Sequence, residues 1–394
     1  MFIKYDIRGK YPTEINEATA QFLSKKYVIY LKKKKFKEVF LAQDFRYSSN
    51  SLLNSCATVF LQAGFKINYL GIIPTPIYYY YCLKNKKPGV MITASHLPTN
   101  YNGFKFFLPS NDVWIYKKIK KIKAKIEVQK IFSPQVKEET YLHYLNQIKN
   151  IVQIKHHHYF YYPSRNNSAN NFLFNLLPKI FPKIKIIKNS NIFVSSDYDG
   201  DRIFIKYKNK IISPEQFLMI ILKTGNYKKV GLPITIHKRV KEFFPKIDFY
   251  LIKTGHLNFK KAYKKYNLDF ALEPSYHFYF FKETKTEAPI LALLKFFLSE
   301  ERNEMENILN LSFPSYRLDT SNKNFVKKIL DYAKINKFQM KKFDDLYFSK
   351  TINQNNYLAF NLRQSKTENN IYRIFIEASN WSLIKKMLIE IKRK

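Results

Sequence analysis

The run Thr93–Pro98 (TASHLP) directly follows the apolar segment Val90–Ile92 (VMI), so that a buried strand is expected to pass into a short polar loop. Apolar, β-rich runs of this kind alternate with helical patterns along most of the chain, which indicates an α/β architecture. Ligands in such sheets bind where strands end and loops begin. We therefore expect Ser95 to lie on a tight loop at a binding site, with a helix N-cap or an ordinary turn as the alternative.

The alternating pattern extends over most of the sequence. The strand candidates are residues 38–42, 88–93, 191–196, 229–235, 247–253, 268–273, 356–362 and 371–377. The helix candidates are residues 16–34, 47–63, 214–223, 256–265, 288–299, 323–336 and 381–392. The best linker candidates are the Lys-rich segment 116–130, the polar patch 163–170 and the stretch 312–316.

A second polar run, Asp197–Arg202 (DYDGDR), lies far downstream. Its three carboxylates, Asp197, Asp199 and Asp201, alternate about Gly200, which lets the backbone turn so that their oxygens can converge on one cation. Hard oxygen ligands that share a site with a phosphate favour Mg²⁺. A solvated acidic turn is the alternative.

A calcium EF-hand is excluded for this run, because Arg202 stands at the sixth loop position and Lys208 at the twelfth, where Gly and Glu are needed. Ser95 can carry a phosphate, and the acidic run can hold the metal that neutralises it. The run Tyr101–Lys105 (YNGFK) adds a cation, Lys105, close to the serine. Together these segments predict a phosphoryl-transfer site.

Three further runs carry polar groups at or after β-like segments. Lys253–His256 (KTGH) and Glu273–His277 (EPSYH) offer groups suited to sugar hydroxyls and proton transfer. Arg363–Glu368 (RQSKTE), with Arg373 beyond it, offers a guanidinium, hydroxyls and an ammonium that suit a terminal phosphate. Structural histidines and a charged hairpin are the respective alternatives.

Two other runs are given no functional role. His156–His158 could suggest a metal site, but consecutive side chains point in different directions, so we expect a solvated basic turn. Tyr78–Tyr81 could suggest a base-stacking surface, but packing within a helix is the simpler expectation.

Length and composition narrow the class of protein. The 394 residues leave room for two to four domains, and no segment has the run of about 18 uncharged apolar residues that a membrane span needs. The start of the chain has no signal-peptide pattern, and two cysteines give no disulfide framework, so the cytoplasm is the expected compartment. The net charge of +38 suggests nucleic-acid binding as a possible function. The 58 lysines, however, are spread along the whole chain, which is more typical of an AT-rich codon bias than of a binding surface.

Taken in order, the motifs resemble the α-D-phosphohexomutase superfamily, and specifically the bacterial phosphomannomutase/phosphoglucomutase group. The match begins at Tyr5–Gly9 (YDIRG) and extends nearly to the carboxyl terminus. The resemblance implies four domains around a central cleft: three related α/β domains with mixed sheets and a smaller α+β C-terminal domain. We place these domains at residues 1–133, 134–210, 211–310 and 311–394.

The resemblance also implies a role for each motif residue. Ser95 would be the phosphoserine and would complete the Mg²⁺ shell with Asp197, Asp199 and Asp201. Arg8 and Arg202 would stabilise the reacting phosphate. Lys105 and His277 would act as general acid and base, with His256 nearby, and Glu273 and Ser275 would bind the sugar. The non-reacting phosphate would be bound by Arg363, Ser365, Lys366, Thr367 and Arg373.

The activity so implied is interconversion of mannose or glucose 6-phosphate and 1-phosphate, with a hexose 1,6-bisphosphate as intermediate and activator. The implied partners are sugar phosphates, without nucleic acid or membrane, and the chain is expected to be a monomer or weak dimer. Phosphoglucosamine mutase and an inactive binding protein are the alternatives.

The sequence departs from the family pattern at Leu97, Ala271–Leu272, Tyr276 and Asn369. Tyr276 is expected to strain the backbone if its φ is positive, and to narrow the sugar site.

Overall fold

The computed structural model describes residues 2–3, 6–114, 127–163, 170–301, 305–365 and 370–393. Helices and strands alternate in these ranges, and parallel and antiparallel strand pairs occur in the same sheets, so the predicted α/β class with mixed sheets is confirmed. In the same ranges, no helix is both long and apolar enough to cross a membrane. The predicted domain boundaries, after residues 133, 210 and 310, stay predictions.

The first sheet carries the serine loop. Its strands follow the order β1-β2-β6-β5-β3-β4, with β7 paired to β6, and β3 runs parallel to both β4 and β5. Helix α1 begins after Asn16, whose side chain accepts a hydrogen bond from the Thr19 N–H. The elements are β1 Phe2–Ile3, β2 Ile7–Lys10, α1 Glu17–Lys33, β3 Glu38–Gln43, α2 Ser49–Gln62, β4 Lys66–Ile72, α3 Thr75–Lys84, β5 Gly89–Ile92, β6 Tyr101–Leu108 and β7 Asp112–Trp114.

The second group of elements carries the acidic loop. An antiparallel hairpin, β10-β11, brackets that loop, and β8 and β9 form a short parallel pair beside it. Helix α6 begins with a capping box in which Ser213 and Gln216 satisfy each other's backbone N–H groups. The elements are α4 Glu138–Lys149, β8 His158–Phe160, α5 Asn170–Ile180, β9 Ile184–Ile186, β10 Ile192–Ser196, β11 Ile203–Tyr207, β12 Lys210–Ile211 and α6 Pro214–Thr224.

The third group forms a mixed sheet in the order β14-β13-β15-β16-β17. Strands β15 and β16 are joined by the turn that carries the EPSYH run. The elements are β13 Lys229–Leu232, a 3₁₀ helix at Lys238–Phe243, β14 Asp248–Leu251, α7 His256–Tyr266, β15 Phe270–Glu273, β16 His277–Phe280, β17 Thr286–Glu287, α8 Pro289–Glu301 and α9 Met305–Leu309.

The last group forms an antiparallel sheet in the order β18-β22-β21-β20-β19, with a separate hydrophobic core beneath helices α10 and α11. The predicted linker 312–316 overlaps β18, which begins at Ser315. The other two predicted linkers lie largely outside the described residues. The elements are β18 Ser315–Thr320, α10 Lys323–Ile335, β19 Gln339–Lys342, β20 Leu346–Asn353, β21 Asn356–Gln364, β22 Tyr372–Ala378 and α11 Trp381–Arg393.

The two runs without a functional role have different outcomes. The tyrosine run lies in α3, where Tyr78 and Tyr79 are buried, so the predicted helix packing is confirmed. His156 and His157 are exposed, but the prediction is wrong for His158, which is buried. Its ring stacks on Phe297, and its Nδ1 lies 2.9 Å from a carboxylate oxygen of Glu300.

Buried polar contacts join the last sheet to the rest of the molecule. The Lys238 N–H donates a hydrogen bond to the Glu377 carboxylate at 2.9 Å, and the His237 ring contacts the Ala378 carbonyl at 3.1 Å. Burial raises the pKa of Glu377 to about 7, although the neighbouring Lys238 opposes the shift. This carboxyl group therefore titrates inside a packed interface near neutral pH.

Glu377 should make stability depend on pH. The folded state holds its proton up to about pH 7, whereas the unfolded chain releases it near the ordinary value of 4.5, so the free energy of unfolding falls as pH rises between these values. We expect Glu377→Gln, which keeps an acceptor for the Lys238 N–H, to raise that free energy by about 1–3 kcal/mol at pH 8 and by much less at pH 5. Urea denaturation at both pH values measures the difference. Glu390→Gln is the control, and an equal gain at both pH values would contradict the assignment.

Candidate active site

Ser95 lies on the loop between β5 and β6, as predicted, and its backbone is in the left-handed region with φ 54°. The residue is buried, and its N–H donates a hydrogen bond to the Thr93 hydroxyl at 2.9 Å. A non-glycine residue in this region carries strain of about 1–2 kcal/mol, which the surrounding contacts must offset. The conformation is therefore imposed by the loop's environment.

Arg46 supplies much of that environment. Its guanidinium donates hydrogen bonds to the carbonyl oxygens of Ser95, Leu97, Pro98 and Tyr101 at 2.6–3.0 Å. The Asp44 carboxylate accepts a hydrogen bond from Arg46 Nε at 2.9 Å and fixes the orientation of the guanidinium group. One buried guanidinium thus holds the whole serine loop. The scarcity of arginine beside lysine marks Arg46 as a residue of interest, but the sequence assigns it no role.

The acidic loop follows β10, and its three aspartates converge. One oxygen from each of Asp197, Asp199 and Asp201 lies within 4.8 Å of the others. Gly200 has φ 71°, and a Cβ there would meet the Asn170 side chain, so the turn requires glycine. Burial and the two neighbouring carboxylates raise the pKa of Asp197 well above its ordinary value.

The aspartate oxygens fit a divalent cation. Within the described residues, one buried oxygen of each aspartate has no hydrogen-bond partner: Asp197 Oδ2, Asp199 Oδ1 and Asp201 Oδ1. Arg202 Nε lies 3.5 Å from Asp197 Oδ2 and 3.9 Å from Asp201 Oδ1, which compensates these oxygens only in part. Buried carboxylate oxygens without hydrogen bonds are costly, and a cluster of three carboxylates is a donor set that Mg²⁺ prefers. This chain's own residues therefore suit the metal that the sequence predicts.

Lys105 connects β6, the strand that follows the serine loop, to the acidic loop. It lies on β6, and its ammonium contacts Asp199 Oδ2 at 2.8 Å and Asp201 Oδ2 at 3.3 Å. Burial opposes the charged form, but Asp199, Tyr79 and Asp201 together raise the pKa of Lys105 well above its usual value. Lys105 therefore remains an ammonium ion. The two loops that the sequence places about a hundred residues apart meet at this side chain.

Arg202 and His96 form a second contact between the same two loops. Arg202 Nη2 lies 3.2 Å from His96 Nδ1, which in turn lies 3.4 Å from the Ser95 hydroxyl. Burial, with Arg202 and Arg8 nearby, lowers the pKa of His96 to about 3. His96 is therefore neutral at physiological pH.

Arg8 approaches the serine loop from β2. Its Nη1 donates to the Ala94 carbonyl at 3.3 Å, and its Nη2 pairs with the Asp6 carboxylate at 2.6 Å. Burial opposes ionisation of Asp6, but the Arg8 charge prevails and the pKa of Asp6 falls to about 2. Arg8 thus presents a fixed positive charge beside Ser95.

The predicted sugar-binding residues lie together on and near β15 and β16. The Glu273 carboxylate accepts hydrogen bonds from the Gly255 N–H at 2.7 Å and from the Tyr279 hydroxyl at 3.0 Å. Arg202 Nε donates to His277 Nε2 at 3.1 Å, which links this sheet to the acidic loop. Burial lowers the pKa of His256 to about 3, so this imidazole is neutral.

Tyr276 confirms one expectation and contradicts another. Its φ is 65°, so the predicted backbone strain is present. Its side chain, however, is turned away from the cleft: the ring packs on Phe204 at 4.7 Å, and the hydroxyl donates to the Ile212 carbonyl at 2.9 Å. The prediction that Tyr276 narrows the sugar site is therefore wrong, because packing against β11 and the start of α6 takes the ring elsewhere.

The predicted phosphate-binding residues are described only in part. Arg363 on β21 and Arg373 on β22 lie directly opposite each other in the sheet, and both line the cleft. Facing arginines repel unless an anion lies between or above them. Ser365 is not among the lining residues, and its N–H donates to the Ile371 carbonyl at 2.7 Å. Lys366, Thr367 and Asn369 lie outside the described residues.

All these segments face one cavity of about 520 Å³. The predicted residues on its wall are Arg8, Ser95, Lys105, Asp201, Arg202, His256, Glu273, Ser275, His277, Arg363 and Arg373. Asp197 and Asp199 are not among the residues that line this cavity. Several other lining residues were not predicted from the sequence, among them Tyr79, Glu287, Arg317, Asp319 and Asn361. Their short local patterns resemble those of ordinary strand and loop residues.

The chain is similar to known proteins both in sequence and in fold. The family model for phosphoglucomutase/phosphomannomutase, alpha/beta/alpha domain I, matches residues 1–131. A phosphomannomutase of Methanocaldococcus jannaschii is 28% identical over an alignment of 447 positions, gaps included, that covers 100% of this chain and 96% of that protein.

Two solved structures share the fold. A phosphoglucomutase/phosphomannomutase family protein of Burkholderia thailandensis superposes with a TM-score of 0.80 at 18% identity, covering 100% of this chain and 96% of that one. The Aspergillus fumigatus N-acetylphosphoglucosamine mutase, solved with GlcNAc-6P and magnesium, has a TM-score of 0.57 at 13% identity. The match covers 93% of this chain and 79% of that one. The domain I match and the relative that aligns over the whole of this chain support the phosphohexomutase superfamily that the sequence resembles.

Proposed function

We propose that the chain is a phosphohexomutase that interconverts hexose 6-phosphate and hexose 1-phosphate through a phosphoserine at Ser95. The proposal rests above all on one observation: Lys105, on the strand that follows the serine loop, contacts Asp199 and Asp201 of the acidic loop. Ser95, the proposed metal ligand Asp201 and several cations therefore line the same cleft, as phosphoryl transfer requires.

The chain's own groups suit the charges of the reaction. Arg8 and Arg202 are fixed cations close to the serine loop and suit the oxygens of the transferring phosphoryl group. When bound by the three aspartates and the phosphoserine, Mg²⁺ would neutralise charge on that group. The magnesium in the Aspergillus protein supports this choice of metal.

Lys105 and His277 are the proposed general acid and base, on the strength of the family resemblance and of their place on the cleft wall. Lys105 keeps its proton and supplies positive charge there. His277 lies between Arg202 and Asp201, and the neutral imidazole of His256 lies on the same wall. Glu273, held by two hydrogen bonds, is placed to bind sugar hydroxyls together with Ser275.

The cycle that these groups support begins when the phosphoserine gives its phosphoryl group to a hexose phosphate, forming a hexose 1,6-bisphosphate. The bisphosphate reorients in the cleft and returns its other phosphoryl group to Ser95. Arg363 and Arg373 suit the phosphate that does not react, with Lys366 and Thr367 as further proposed contacts.

Mannose and glucose phosphates are the proposed substrates, and glucosamine phosphate is the competing one. Turnover of the three hexose 1-phosphates, each with a trace of the matching bisphosphate, separates these possibilities. No turnover with any of them, despite binding, would indicate an inactive binding protein. A monomer or weak dimer in the cytoplasm is the proposed state, in keeping with the buried free thiols of Cys56 and Cys82.

The side chain of Tyr276 gives a test of where the sugar does not bind. We expect Tyr276→Phe to lower the free energy of unfolding by about 1 kcal/mol, because the Ile212 carbonyl loses its donor. The KM for hexose 1-phosphate should stay within about twofold of the wild type, since the ring points away from the cleft. Steady-state kinetics and urea denaturation measure both effects, with the exposed Tyr316→Phe as control. A raised KM would place the hydroxyl in the sugar site.

A further inference from the structure

Glu287 is an acidic residue on the cleft wall whose partners are missing. It lies on β17, only 3% of it is exposed, and its Oε2 is buried without a hydrogen-bond partner. Among the described residues, its carboxylate makes no hydrogen bond or ion pair.

The other acidic residues of the wall are all partnered. Asp6 pairs with Arg8, Asp201 with Lys105, Asp319 with Arg373, and Glu273 with two donors. A buried carboxylate without a donor costs free energy, and native proteins seldom retain one unless its partner comes from elsewhere. The exception at Glu287 therefore needs an explanation.

The sheet places Glu287 beside the sugar-binding residues. Glu287 lies directly opposite Tyr279 on β16, and His277, two residues earlier on β16, lies directly opposite Glu273 on β15. Side chains at alternate positions of a strand point to the same face of a sheet. Glu287, Tyr279, His277 and Glu273 thus share one face, which is the face that borders the cleft.

Lys260 is the nearest alternative explanation. Its ammonium is buried, lies 3.8 Å from the centre of the Tyr79 ring and 4.7 Å from that of Phe107, and has no hydrogen-bond partner among the described residues. Lys260 and Glu287 interact electrostatically, but no ion pair forms between them. Lys260 therefore offsets the charge of Glu287 at longer range and leaves its oxygens free.

The remaining charges around Glu287 act in both directions. Burial raises the pKa of its carboxyl group above the usual value, Lys260, His277 and Lys105 oppose the shift, and Asp201 adds to it. A buried carboxylate without a hydrogen-bond donor is a ready acceptor for a neutral hydroxyl group.

We propose that Glu287 is a further sugar-binding residue, whose carboxylate accepts a hydrogen bond from a hydroxyl of the hexose ring. This inference rests on the proposed phosphohexomutase function and adds a contact on the sheet face beyond Glu273. The phosphate groups of the substrate do not contact Glu287, since two anions would repel.

The test compares a sugar phosphate with phosphate alone. By isothermal titration calorimetry, we expect Glu287→Ala to weaken the binding of glucose 1-phosphate by about tenfold or more, and Glu287→Gln by about threefold, because the amide oxygen still accepts. Both variants should bind inorganic phosphate within about twofold of the wild type. Glu283→Gln is the matched control, because Glu283 lies near β17 but pairs with Tyr227 away from the cleft.

Thermal denaturation of the same variants separates a binding role from a structural one. We expect the melting temperature of Glu287→Gln to stay close to that of the wild type, because removal of a buried charge stabilises the fold while the weaker compensation of Lys260 destabilises it. Should Glu287 serve only to offset Lys260, the variant would melt lower and bind glucose 1-phosphate unchanged, which overturns the inference. A parallel loss of phosphate affinity would overturn it as well.

The experiment also distinguishes failure of this inference from failure of the proposed function. If the wild type turns over no hexose phosphate and binds glucose 1-phosphate no more tightly than inorganic phosphate, the proposed function fails, and the inference fails with it. If the wild type is active and both Glu287 variants keep its affinity for glucose 1-phosphate, only the role of Glu287 is wrong.

Discussion

Replacing Ser95 by alanine should abolish mutase activity. In the proposed mechanism this hydroxyl carries the phosphoryl group between the two sugar oxygens, so its loss removes the covalent path and not a single contact. We expect turnover of hexose 1-phosphate to fall by about 10⁴-fold or more. The fold should persist, because the loop is held through backbone carbonyl groups by Arg46 and not through the serine hydroxyl.

Intact mass spectrometry gives the decisive readout for this variant. After incubation with glucose 1,6-bisphosphate, the wild type should gain one phosphate that maps to Ser95, and Ser95→Ala should gain none. Ser110→Ala, in the exposed turn between β6 and β7, is the matched control and should be phosphorylated and active like the wild type. Full activity of Ser95→Ala, or a phosphate that maps to another residue, would overturn the mechanism.

Replacing Asp199 by asparagine should produce the second largest loss. The change removes one of the three carboxylates that face the cation site and weakens the hold on Lys105, so charge stabilisation of the transferring phosphoryl group is lost. We expect kcat to fall by about 10²–10³-fold at saturating substrate. Part of the activity should return at high Mg²⁺ concentration, since two carboxylates remain.

Removal of the metal from the wild type tests the same site without a mutation. EDTA should abolish turnover, and added Mg²⁺ should restore it. Asp331→Asn, an exposed change on α10, is the control and should respond to EDTA as the wild type does. Undiminished activity of the wild type in EDTA would exclude a role for the aspartates in metal binding.

Periodicity and composition predicted the main elements of the fold closely. Helix α1 was predicted at residues 16–34 and spans Glu17–Lys33, and β3 was predicted at 38–42 and spans Glu38–Gln43. Strand β6, Tyr101–Leu108, was not predicted, because its polar Asn102 and Lys105 are typical of a loop. Both are satisfied by partners distant in sequence: Asn102 donates to the hydroxyls of Ser48 and Ser49, and Lys105 pairs with the acidic loop.

The site was predictable where a residue type announces its chemistry in a short run, as with Ser95 and the three aspartates. It was not predictable where a residue acts through contacts that only the fold creates. Arg46 reaches four carbonyl groups of a loop about fifty residues away, and Glu287 stands out only because the folded chain gives its carboxylate no partner.

The ion pairs of Lys105 bear on how the chain folds in the absence of a metal ion. Crowded aspartates normally repel, so many metal sites collapse or stay unfolded until their ion arrives. Here a lysine from a neighbouring strand supplies an intramolecular counterion to two of the three. We therefore expect the polypeptide to fold without added Mg²⁺, and the ion to be needed for the proposed turnover and not for assembly of the cleft.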